Sequence, residues 1–223
     1  MKSLKILMIV LLAASQTAMA ENADTDEKES KVRVSVSVTG YIYNDDVWRL
    51  EGACHWFPIP YVGIGGSLGM WKQYIANGIP NGNNWAVTDD SSKPSNIYVQ
   101  PSVVLLSPDI IKCEGWGLRL YGEAGVMFNV PYERVEICIG PHGVIPLEYD
   151  DVSSNKGESI FFDGKIGLSV RADRVSITAG YTCSTLDIYA LRRKMIYQNQ
   201  SFAMFYPKRK ATQGAFLSLS VNL

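Results

Sequence analysis

The sequence predicts an all-β protein: an eight-stranded antiparallel up-and-down transmembrane β-barrel with short periplasmic turns and long outer loops. Three observations predict it. From Val32 to the C-terminus, apolar and polar residues alternate with a period of two. The apolar register of that alternation excludes charge: about 42 positions carry none, where a 19% charged composition would place about 8. A bilayer enforces such exclusion, since a mid-membrane charge costs about 2–4 kcal/mol. The segments also run to about 10–12 residues, the tilted length that crosses a bilayer.

The elements follow in chain order. Lys2 and Lys5 precede an apolar run over 6–14, and Ala18-Met19-Ala20 supplies small residues before a cleavage point. Residues 1–20 therefore read as a secretory signal peptide. Losing the two lysines takes the net charge from −1 to −3. Residues 21–31, with five acids, read as an acidic periplasmic tail. The barrel occupies 32–223. Its first strand sets Val34, Val36, Val38 and Ile42 against Arg33, Ser35, Thr39 and Tyr41; its second sets Leu50, Cys54 and Trp56 against Arg49, Glu51 and His55. The third opposes Ile64, Leu68 and Met70 to Gly63, Ser67 and Gly69; the fourth opposes Ile97, Val99 and Val103 to Tyr98, Gln100 and Ser102. Leu118, Leu120 and Phe128 oppose Arg119, Tyr121 and Glu123 in the fifth; Phe162, Ile166 and Leu168 oppose Asp163, Lys165 and Arg171 in the sixth. Ile177, Ala179 and Tyr181 oppose Ser176, Thr178 and Thr182 in the seventh, and Leu217, Leu219 and Val221 oppose Ser218 and Ser220 in the last.

Alternation alone leaves open which face points outward, and a secreted lipocalin-like binder would hide the apolar one. The strand lengths favour the membrane. So do charges along the polar face, which assemble a lumen network of Arg33, Arg49, Glu51, His55, Arg119, Glu123, Asp163, Lys165 and Arg171. Aromatics near strand ends (Tyr41, Tyr43, Trp48, Trp56, Trp71, Tyr74, Trp116, Phe128, Tyr132, Tyr181 and Tyr189) suit interfacial girdles. Short connections near 57–60, 108–115 and 172–174 face the periplasm, as do both termini; long ones at 75–95, 129–159 and 186–212 face outward.

These features resemble the small OmpA/OmpX-like eight-stranded barrels of Gram-negative outer membranes. The resemblance is carried by Tyr121-Gly122-Glu123-Ala124-Gly125-Val126, by Thr178-Ala179-Gly180-Tyr181, and by the terminal strand from Gly214 to Leu223. It implies an integral outer-membrane protein of the bacterial cell envelope, exported by a cleavable signal. It also implies insertion machinery that reads the terminal strand, and a structural or adhesin-like role without catalysis. No peptidoglycan-binding domain is expected after the last strand.

Chemistry is sparse. A net charge of −1 offers no electrostatic case for nucleic acid. His55 reads as a hydrogen-bonded lumen residue. His142 falls in the turn Gly140-Pro141-His142-Gly143, and neither the rim Ser–His pair of an outer-membrane acyl hydrolase nor the acid–His cluster of an omptin-like protease is visible. The pairs Asp45-Asp46, Asp89-Asp90 and Asp150-Asp151 lack calcium-loop spacing and read as solvated turns. Glycines 63, 65, 66 and 69 read as making room for lumen side chains. Cys54, Cys113, Cys138 and Cys183 show no metal spacing and read as unpaired thiols. No catalytic residue, metal or cofactor is expected. The most individual stretch is the last outer loop, where Arg192, Arg193, Lys194, Lys208, Arg209 and Lys210 bracket an aromatic run. Those cations suit lipopolysaccharide phosphates or a surface or host partner, beside the outer-membrane lipid itself. The expected function is structural or surface interaction. A narrow channel for small solutes is the alternative, because lumen cations outnumber acids; a lipid-modifying enzyme comes behind it.

Overall fold

The computed structural model describes residues 33–43, 47–73, 80–88, 96–130, 132–140, 148–208 and 211–223. The signal peptide, the acidic tail, Asp45-Asp46, Tyr74, Asp89-Asp90, His142, Arg209 and Lys210 lie outside the described residues. In chain order the strands are β1 (Arg33–Tyr43), β2 (Val47–Ile59), β3 (Val62–Gln73), β4 (Asn81–Gly82), β5 (Trp85–Thr88), β6 (Asn96–Leu106), β7 (Ile111–Cys113) and β8 (Trp116–Asn129). Then come β9 (Glu133–Ile139), β10 (Glu148–Ser154), β11 (Ile160–Ala172), β12 (Val175–Ser184), β13 (Ile196–Tyr197), β14 (Gln200–Ser201) and β15 (Thr212–Asn222).

Eight of these close a barrel. Strands β1, β2, β3, β6, β8, β11, β12 and β15 pair antiparallel in that order, and β15 returns to pair with β1. Closure leaves no free edge, so backbone donors and acceptors around the wall are satisfied within the sheet. The pleat sorts the side chains, most plainly on β6. There Tyr98, Gln100, Ser102 and Val104 are buried, while Ile97, Val99, Val103 and Leu105 are about half exposed or more. Among the described residues, the outward register of all eight strands carries a single charge, Lys72 near the C-terminal end of β3.

The lumen is filled from wall to wall. Near the end of the barrel that carries Tyr43 and Trp71, Tyr41, Tyr43, Val47, Trp71, Tyr98, Met127, Phe161 and Phe216 pack together, joined by Leu186 and Ile188 beyond β12. Nearer the other end, Phe57, Val104 and Leu106 form a smaller cluster. Tyr98 fits only because β3 has a glycine opposite it: a Cβ on Gly69 would stand 2.1 Å from the Tyr98 hydroxyl.

One expectation is corrected in part. Tyr41, Tyr43 and Trp71 are 2–4% exposed and face the lumen, so they belong to no lipid-facing girdle. Their parity explains it, since each shares a register with inward neighbours such as Thr39. Tyr189 is partly buried and stacks on Tyr206, also away from the outer face of the wall. Trp56, Trp116, Phe128, Tyr132 and Tyr181 are exposed. Within the short connection at 108–115, β7 folds back onto β8 through Gly115 at φ 83°. The long connections pack on one another. Strands β4 and β5 from the first long one and β9 and β10 from the second form a four-stranded sheet, ordered β10-β9-β5-β4. Its apolar face (Trp85, Val87, Val135, Ile137) packs on Met195, Phe202 and Tyr206 of the last loop, making a cap with its own core.

Candidate functional site

Two clusters of chemistry stand out, one across the lumen and one in the cap. In the lumen, the parity that turns Ile42, Leu50 and Ile166 outward turns Tyr41, Arg49, Glu51 and Lys165 inward. The register then brings distant strands together: Lys165 on β11 lies opposite Glu123 on β8, and Thr39 on β1 opposite Glu51 on β2.

The result is a fully buried ion-pair network. Arg49 donates from Nη2 to Glu51 Oε2 at 2.5 Å and from Nη1 to Asp163 Oδ1 at 2.9 Å. Lys165 Nζ donates to Glu51 Oε1 at 2.7 Å and to Glu123 Oε2 at 3.0 Å. Neutral groups complete the coordination. Gln100 Oε1 accepts from Arg49 Nη2 at 2.8 Å, and the Tyr98 hydroxyl accepts from Arg49 Nε at 2.5 Å while donating to Glu51 at 2.7 Å. Tyr43 accepts from Arg49 at 3.1 Å, and Tyr121 donates to Glu123. The Arg49 guanidinium also sits 4.3 Å from the Tyr41 ring centroid. Strands β1, β2, β6, β8 and β11 all contribute, so the network ties one side of the wall to the other. Charges removed from water survive only when paired and hydrogen-bonded in this way.

The remaining lumen residues stand apart from that network. His55 shares a 2.8 Å hydrogen bond with Ser102. Arg33 lies over the Phe57 ring, Arg119 makes a long 3.4 Å contact with Ser176, and Arg171 pairs with Asp109 at 3.2 Å. So the nine residues expected as one network form a tight central cluster of five, a histidine–serine pair, and three arginines toward the end that carries Arg33 and Asn222.

The last-loop cations divide as well. Arg192 is buried in the cap, where Nε donates to Glu133 Oε1 at 2.6 Å. Burial is the largest single influence and works against its charged form, but the Glu133 carboxylate and Tyr206 together hold the guanidinium pKa above its ordinary value. Arg193 pairs with Asp187 at 2.5 Å and donates to the Pro207 carbonyl at 2.7 Å. Lys194 and Lys208 are exposed. Thus Arg192 is committed to holding the loop onto β9 and is corrected from surface contact to structural tie. Asp150-Asp151, expected in a turn, lies in β10, and Asp151 pairs with Arg134 across the strand pair. The four cysteines stand unpaired, with Cys54 and Cys183 exposed on the outward register.

Sequence reasoning placed Tyr98, Gln100 and Tyr121 on the polar face without assigning them to the network. Their spacing from Ser102 and Glu123 on the same strands was the available signal. It missed the cap altogether, although Val135, Ile137 and Ile139 alternate with Arg134, Glu136 and Cys138.

No protein-family model matches the chain, and no curated protein matches it. Among solved structures, neisserial surface protein A is similar at 11% identity, over 87% of this chain and 99% of that one, with a TM-score of 0.45. A major outer membrane protein from Thermus thermophilus is similar at 10% identity, over 86% and 99%, with a TM-score of 0.44. The N-terminal β-barrel domain of OprF from Pseudomonas aeruginosa is similar at 12% identity, over 86% and 97%, with a TM-score of 0.43.

Proposed function

We propose that this chain is an integral barrel of the bacterial outer membrane with a structural or surface-interaction role and no catalysis, allied to the small OmpA/OmpX-like barrels. One observation carries the reading. A belt of aliphatic side chains faces away from the protein around the whole wall, including Ile64, Leu68, Val99, Leu120, Ile166 and Ile177, each at least 50% exposed. A water-soluble fold of this size does not present so large a continuous apolar surface, whereas acyl chains solvate it without cost. The polar inside and apolar outside are the inverse of a lipocalin-like binder.

The packed lumen supports a structural rather than a conducting role. The Arg49–Glu51–Lys165–Glu123 chain spans its middle, and aromatic packing fills its outer mouth. Functional contact then falls to the cap, the part of the molecule that the barrel would hold outside the membrane. Membrane fractionation with a heat-modifiability gel tests the reading. The chain should stay in the detergent-extracted membrane fraction and run faster unboiled than boiled. A soluble protein indifferent to heating would end it.

A further inference from the structure

The cap contains a cleft of about 630 Å³, lined by Asn81, Gly82, Asn83, Trp85, Gln198 and Gln200. We propose that this cleft binds a neutral saccharide, an uncharged hexose unit of a surface glycan. The proposal deepens the surface-interaction reading and rests on it for the cap's outward placement.

The lining defines the ligand class. None of its side chains is ionisable, so it offers neither the guanidinium or ammonium that an anion requires nor the carboxylate that a cation requires. It is also too polar for an apolar guest. Four of the six residues are carboxamides, each combining two donors with an acceptor in one rigid plane. Vicinal hydroxyls of a sugar ring match that geometry, because each donates one hydrogen bond and accepts others. The volume lies within the range of about 300–1,000 Å³ typical of small-molecule sites.

Two of the groups are held open. Among the described residues, the Gln200 amide nitrogen donates to the Met204 sulfur, at 3.9 Å. Trp85 forms the floor, stacked on Phe202 and edge-on to Tyr197, with ring centroids 5.8 and 5.1 Å away. Its indole Nε1 faces Gly82, the residue paired with Trp85 across β4 and β5. Gly82 leaves that nitrogen uncovered, since a Cβ there would stand 2.2 Å from it. A donor so placed suits a ring oxygen or hydroxyl. The opposing wall is the β13–β14 hairpin, whose turn residues Gln198 and Asn199 both adopt left-handed φ values, 46° and 62°. Asn tolerates that conformation; Gln does so rarely, and backbone strain of this kind gathers at ligand clamps.

The test uses the full chain folded in detergent, titrated by calorimetry and saturation-transfer NMR with lacto-N-tetraose, maltotetraose and cellotetraose. At least one should bind saturably, and Asn83→Ala and Gln200→Ala should each weaken that binding about five- to tenfold. Asn83 is exposed and Gln200 half-buried in the cap, away from the barrel wall, so heat modifiability should be unchanged in either variant. Lack of saturable binding to every probe up to about 10 mM would overturn the proposal. So would binding that neither variant alters, preference for a sialylated sugar over its neutral parent, or preference for tetraglycine. The gel is read separately: a heat-modifiable barrel that binds no sugar loses this site alone, whereas loss of heat modifiability defeats the membrane reading.

Discussion

The barrel and its cap are built from the same two-residue period, yet they solve opposite problems. In the barrel wall the apolar register points out and the polar register points in, where Arg49, Glu51, Asp163 and Lys165 neutralise one another. In the cap, Trp85, Val87, Val135 and Ile137 point in and charged residues such as Arg134 and Asp151 point out. Period alone therefore specifies strands without specifying a solvent. What differs is which register excludes charge: the outward one in the wall and the inward one in the cap.

The comparison is broken hardest in the lumen. Lys165→Met removes the cation shared by Glu51 and Glu123 and leaves buried carboxylates facing each other. The expected loss is about 3–5 kcal/mol, measured by urea unfolding of the chain in lipid vesicles. Adding Glu123→Gln to that variant should recover part of the loss, because one of the stranded charges disappears. A single variant within about 1 kcal/mol of the wild type would mean that water reaches this network and that the lumen is not the dry interior described.

A smaller effect separates the two outer surfaces. Ile166, 66% exposed in the middle of β11, should lose about 2–4 kcal/mol of folding stability in vesicles when replaced by Arg. Tyr149, 59% exposed on β10 of the cap, should change by about 0.5 kcal/mol or less on the same replacement. Equal responses at the two sites would remove the distinction between a lipid-facing and a water-facing surface.

Much of the barrel was legible because its signal is long and one-sided. A run such as β6 repeats its alternation over eleven residues, and no charged residue interrupts it. Parity also sent Arg49, Glu51 and Lys165 to one side of the wall. Which of them touch depends on strand register, and register is set by pairings such as Lys165 with Glu123 across 42 residues. The cap was illegible for two reasons. Strand β5 is only four residues long, too short for a period to stand out from a loop. Its core, moreover, joins Trp85 to Phe202, residues from two different outer connections. Arg192 was read as a surface cation because nothing near it in the chain announces Glu133.

The same chemistry in both regions gives the finest comparison. A guanidinium meets a carboxylate at Arg49–Asp163 and again at Arg134–Asp151, but the first pair has 0% side-chain exposure on both partners and the second 53% and 42%. Water solvates the second pair whether or not it forms, and mobile ions screen it. Arg134→Gln should therefore shift stability by about 0.2–1 kcal/mol, and the shift should shrink toward zero as salt is raised to about 1 M. The Arg49 pair should show almost no salt dependence, since ions in solution do not enter its surroundings. If the unfolding of an Arg134→Gln variant stayed salt-independent with a loss of several kcal/mol, the cap would have to be as dry as the lumen. Its outward charges would then be covered by a partner rather than by water.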